Sequence, residues 1–118
     1  MKEDQQTPKR VLLDEMLPRL LARELPGHEV TTVTQAGWTG TVNGQLLLRM
    51  ENAGIDVFIT ADRKMQYQQT LTGRRFGVVV LALGGTKLET LKPFADAIRL
   101  AVERVAVGEL IQVGPHYR

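Results

Sequence analysis

Short apolar runs separated by segments with leucines at helical spacing divide this chain into alternating strands and helices. Val11-Leu12-Leu13, closed by Asp14-Glu15, reads as a buried strand. Pro18 then stands where proline favours the first turn of a helix, since its missing N–H needs no partner there. Leu17, Leu20, Leu21 and Leu25 follow at helical spacing, and Pro26-Gly27 predicts the stop. His28 to Val33, rich in valine and threonine, reads as a second strand. After a loop holding Gly37, Trp38 and Gly40, Asn43 is placed to cap a helix with Leu46, Leu47, Met50 and Ala53 on its apolar face. Gly54 ends that helix, and Asp56 to Thr60 predicts a third strand. Phe76 to Leu83, uninterrupted and apolar, is the pattern of a central strand buried on both faces. Thr86 with Glu89 has capping-box spacing, and Pro93 marks a helix restart with Phe94, Ile98, Ala101 and Val105 as its core stripe. Leu110 to Val113 supplies a last short strand.

Strand alternating with helix implies an α/β fold with a mainly parallel central sheet and helices on both faces. The right-handed crossover rule makes that sheet doubly wound. Chain length, 118 residues, suits one domain over residues 10–118, with residues 1–9 as a loose polar tail rather than a secretory signal. Cysteine is absent, which excludes disulfides and thiolate metal sites and suits the cytoplasm; serine is absent too, which excludes a serine nucleophile. No apolar run approaches the roughly 20 residues that span a bilayer. A net charge of +2 permits nucleic-acid binding without arguing for it, so the placement of charges has to decide.

Sites in open α/β sheets gather beyond the carboxyl ends of the strands. Asp14 and Glu15 end the first strand, Asp62 lies just past Thr60 at the end of the third, and Asn43 opens the helix after the second. Three segments therefore bring Asp14, Asn43 and Asp62 to one rim, whereas Asp56 belongs to the opposite edge. Such acids serve either as caps that complement helix dipoles or as oxygen ligands for Mg²⁺ or Mn²⁺. Arg63-Lys64 and Arg74-Arg75 flank the Asp62 loop as candidate phosphate contacts, or as solvated cations. Trp38 and Tyr67 are candidates to stack on bases or to plug the core. His28 and His116 have no metal-ligand spacing, and Gly84-Gly85 lacks the Lys-Ser/Thr of a phosphate loop.

The run Leu12-Leu13-Asp14-Glu15-Met16-Leu17-Pro18, then Gly37-Trp38, Asn43-Gly44-Gln45-Leu46-Leu47, Thr60-Ala61-Asp62, and Tyr67-Gln68-Gln69 with Gly73-Arg74-Arg75, resembles a small bacterial PIN-like family related to virulence-associated toxin ribonucleases. The resemblance covers roughly residues 10 to 114 and rests on motif order, since no one motif is specific. It implies a PIN-like three-layer α/β/α fold and a metal-dependent endoribonuclease acting on single-stranded RNA, the toxin half of a toxin–antitoxin module whose antitoxin-like partner is encoded nearby. Carried over by position, Asp14 and Asp62 would hold Mg²⁺ or Mn²⁺, with Glu15 and Asn43 in support and Arg63, Lys64, Arg74 and Arg75 on the RNA backbone. Asn43 stands where the family's intermediate acid is expected, and a neutral amide binds metal more weakly. A non-catalytic PIN-like binding module and a receiver-like phosphoacceptor are the alternatives; the latter lacks a lysine at the end of a fifth strand. Leu48, pointing away from the apolar helix face, suggests a homodimer contact.

Overall fold

The computed structural model describes residues 7–41, 43–65 and 73–114. Five parallel strands form one sheet: β1 (Arg10–Leu13), β2 (Glu29–Thr32), β3 (Val57–Thr60), β4 (Gly77–Leu81) and β5 (Leu110–Val113), in the order β2-β1-β3-β4-β5. Every residue of β3 and β4 is buried, as the unbroken apolar runs of a parallel sheet require. Strand side chains alternate between two separate cores. Val11, Leu13, Val57, Ile59, Val79, Leu81 and Val113 face one core; Leu12, Phe58, Val78 and Val80 face the other.

The first core is closed by a 3₁₀ helix, Arg19–Glu24, and by α3 (Ala95–Arg104), whose Ile98, Ala101 and Val102 are buried. The second is closed by α1 (Asn43–Asn52) through Leu46, Leu47 and Met50, with Trp38 half-buried against it. Helices thus cover both faces and make three layers. Among the described residues no helix is long and apolar enough to cross a membrane.

Several local expectations are corrected. The leucine-rich segment after Pro18 is a 3₁₀ helix with Pro18 as its N-cap, not an α-helix begun by that proline. Pro26 explains its brevity: a residue before proline is pushed out of the α region, and Leu25 adopts φ −124°, ψ 57°. The Thr86–Glu89 capping box does not form. Lys87 is the N-cap of the one-turn α2 (Leu88–Leu91), without a side-chain bond. Pro93 does not start a new helix but sits in a 3₁₀ turn, Lys92–Phe94, that joins α2 to α3. Lys9, placed in the tail by the sequence reading, is built into the fold. Its Nζ donates to the carbonyls of Val102, Glu103 and Val105 at 2.8, 3.2 and 3.3 Å, a cation at the α3 C-terminus.

The winding also departs from expectation. The β1–β2 crossover runs toward one edge over the first core, and the β2–β3 crossover runs the opposite way over the second core, so the two share one hand. The β4–β5 crossover continues in the direction of the second, yet its helix α3 lies over the first core. It therefore has the opposite hand, and the right-handed rule, which holds for about 98% of such connections, does not govern the whole sheet. The connection Ala82–Glu109 is long, and it turns at Gly84, φ +88°, before entering α2.

Candidate functional site at the carboxyl edge

The order β2-β1-β3-β4-β5 reverses direction between β1 and β3, and a crevice outside the carboxyl ends of those two strands is where doubly wound sheets bind ligands. Asp14 and Thr60 meet there. The ladder runs one residue beyond β1, with Asp14 N–H donating to the Ile59 carbonyl at 2.9 Å. Thr60, fully buried at the end of an otherwise apolar strand, donates its hydroxyl to Asp14 Oδ2 at 2.7 Å. The same hydroxyl accepts the Asp62 N–H at 3.0 Å. Asp14 Oδ1 accepts the Glu15 N–H at 2.8 Å. One buried hydroxyl thus ties the ends of both segments together and orients the Asp14 carboxylate.

Burial raises the Asp14 pKa above the usual carboxylate value; the hydrogen bonds from Thr60 and the Glu15 backbone oppose that rise, and the negative charges of Glu15 and Asp62 add to it. Asp62 is half-buried, and its Oδ1 accepts the Lys64 N–H at 3.0 Å, so one of its oxygens closes a local turn. Glu15 is exposed, and its Oε1 accepts the Gly40 N–H at 3.3 Å, which draws the loop before α1 to the same rim. Asn43 opens α1 three residues beyond Gly40; its side chain lies outside the described residues, as do Tyr67 and His116. Among the described residues, no three His, Cys, Asp or Glu side chains are grouped closely enough to share a metal ion.

The four basic candidates divide between the two edges. Arg63 and Lys64 are exposed beside Asp62. Arg74 and Arg75 do not flank that loop: they precede β4 and lie at the amino edge, where Gly77 N–H meets the Asp56 carbonyl at 2.9 Å. There Arg74 pairs with Glu51 at 3.0 Å and the Arg75 N–H donates to the same carboxylate at 3.2 Å. The reason is topological. A connection between parallel neighbours must cross back to the amino edge before the next strand begins. Asp56 lies at that edge as expected, accepting the Arg10 N–H at 2.8 Å. His28 is structural, with Nδ1 accepting the Lys9 N–H at 3.0 Å and Nε2 3.7 Å from Glu103.

A cleft of about 600 Å³ opens on the same edge, at the ends of β3 and β4. Ala61, Arg63, Leu81, Leu83, Gly85 and Phe94 are among the residues lining it, but Asp14, Glu15 and Asp62 are not. The polar signal Thr60-Ala61-Asp62 is visible in the sequence, whereas the cleft, assembled from the loop after β3, the segment after β4 and Phe94, is not. No family model, curated protein or solved structure matches this chain.

Proposed function

We propose that this protein is a divalent-metal-dependent endoribonuclease, with Mg²⁺ or Mn²⁺ held by Asp14 and Asp62 and supported by Glu15 and Asn43. The supporting observation is the Asp14 carboxylate: half-buried, oriented by Thr60, and pressed by the charges of Glu15 and Asp62. Ionising it there is unfavourable, and a hard cation relieves both the burial and the like-charge repulsion. The donor set fits Mg²⁺ or Mn²⁺, which commonly take one or two carboxylates and complete their shell with water, so a cluster of three acids is not required. Such an ion, when bound, supplies a water of lowered pKa and neutralises charge at a phosphodiester.

In this reading Thr60 fixes the orientation of Asp14, the Asp62–Lys64 turn fixes Asp62, and Arg63 and Lys64 hold the backbone of single-stranded RNA. Arg74 and Arg75 are left out, because their edge is the wrong one. The toxin role, paired with an antitoxin-like protein, rests on the family resemblance, and the cytoplasmic setting on the absence of cysteine. Asp62→Asn is expected to abolish RNA cleavage and growth inhibition while leaving the circular dichroism spectrum unchanged; full activity in that variant contradicts the proposal.

One observation favours a second reading, a non-catalytic module that binds a partner protein or RNA. Asn43, where the family's intermediate acid is expected, brings no charge. Metal-dependent turnover by homogeneous protein, lost in Asp62→Asn, excludes it. A receiver-like phosphoacceptor is disfavoured on three counts. β5 ends at Val113 and Gly114 follows, with no lysine there, Asp62 stands past its strand, and α3 covers the face that uniform right-handed winding would leave to the first crossover.

A further inference from the structure

We infer that the 600 Å³ cleft beside the acidic rim is a nucleotide subsite, taking a base against Phe94 and its phosphate on Arg63. The inference rests on the phosphodiester chemistry proposed above and names where the flanking nucleotide of the substrate lies.

Phe94 is the first observation. It closes the 3₁₀ turn that leads into α3, and it makes no side-chain cap bond. The sequence pattern assigns it to the core stripe of α3, but it belongs to neither hydrophobic core and leaves 40% of its surface exposed. Core packing does not account for an aromatic ring there, and the ring lines the cleft. Aromatic faces exposed in this way carry bases in proteins that bind single strands, because every base offers a π-face.

The remaining lining completes the chemistry. Leu81 and Leu83 give the cleft an apolar part, and Arg63 gives it a cation with no ion-pair partner among the described residues. On the rim, Gly84 and Gly85 are exposed, and among the described residues no protein group accepts their main-chain N–H donors. Arg63 and these N–H groups together suit a phosphate, as exposed loop amides commonly do. A volume of about 600 Å³ falls within the roughly 300–1,000 Å³ usual for small-ligand sites. Position ties the cleft to the acids. Ala61 and Arg63 line it, and Asp62 stands between them in the chain, so a strand seated on Phe94 and Arg63 passes directly beside Asp62 and Asp14.

The test is a calorimetric titration of AMP and of ribose 5-phosphate in EDTA, with wild type, Phe94→Leu, Phe94→Tyr, Arg63→Gln and Arg23→Gln. Wild type is expected to bind AMP at least tenfold more tightly than ribose 5-phosphate. Phe94→Leu, which keeps bulk but loses the aromatic face, is expected to weaken AMP about tenfold, and Phe94→Tyr to retain it. Arg63→Gln is expected to weaken both ligands several-fold, and Arg23→Gln, an exposed cation outside the cleft, neither. Three results would overturn the subsite: no AMP binding at millimolar concentration, equal binding of AMP and ribose 5-phosphate, or AMP binding unchanged in Phe94→Leu. Because metal is absent throughout, a subsite that binds AMP as expected in a protein that cuts no RNA leaves the subsite standing and removes only the nuclease reading.

Discussion

Asp14 is held in a position that favours its protonated form, and that has a measurable consequence for folding. Its pKa is raised first by burial, so the native state holds this proton more tightly than the unfolded chain does. Stability from this group is therefore fully present below the unfolded value, 3.8, and is lost as pH rises through the raised native one. Asp14→Asn lacks the charge. Without metal, its urea-denaturation stability relative to wild type should improve from pH 4 to pH 7, whatever the constant offset from its altered hydrogen bonds. A difference that stays flat with pH contradicts the assigned burial of charge. The residues of this rim were legible in the sequence because each follows a short apolar run: Asp14 after Val11-Leu12-Leu13, Asp62 after Val57-Phe58-Ile59-Thr60. What the sequence did not reveal is the division of labour among them. That Thr60 is the buried link, and that one Asp62 oxygen is engaged by Lys64, depends on where the chain turns after β3.

At the scale of elements, periodicity located all five strands, since apolar runs bounded by polar or glycine residues have few alternative structures in so short a chain. The helices were less legible. Leucine spacing around Arg19–Glu24 does not separate a 3₁₀ helix from an α-helix, and Pro26 decides that outcome through the residue before it. Arg74 and Arg75 were misplaced for a reason available in the sequence: like Asp56, they immediately precede a strand, and strand starts gather at the amino edge. Close packing of elements is testable at Gly77, the first residue of β4. A Cβ there would lie 2.7 Å from the Ala106 carbonyl oxygen and 2.8 Å from Val105 Cγ2, both at the end of α3. Backbone cannot yield as a flexible side chain does, so Gly77→Ala should cost about 1–3 kcal/mol in urea denaturation. Gly85→Ala, whose Cβ would meet Thr90 at an ordinary 3.5 Å, is the contrasting control and should change stability little.

For the whole molecule, what matters is that sheet order and crossover hand act together. The order puts a switch point between β1 and β3 and so creates the crevice that Asp14 and Thr60 occupy. The reversed hand of the last crossover puts α3 beside the first 3₁₀ helix, where Lys9 joins the α3 C-terminus to the start of β1. No local pattern encodes that hand: the stripe Ile98, Ala101, Val102 and Val105 fixes which side of the segment is buried, not which face of the sheet it covers. The amino edge thus carries the Arg10–Glu29 and Arg74–Glu51 ion pairs, and the carboxyl edge carries the acids Asp14, Glu15 and Asp62, the cations Arg63 and Lys64, and the cleft. Leu48 is 55% exposed on α1. The central claim is that the carboxyl edge holds a divalent cation through Asp14. Its most direct test is calorimetric titration of Mn²⁺ into wild type and Asp14→Asn at neutral pH. Stoichiometric binding by wild type that disappears in the variant, with circular dichroism unchanged, is the predicted result; no binding by wild type, or equal binding by both proteins, would contradict it.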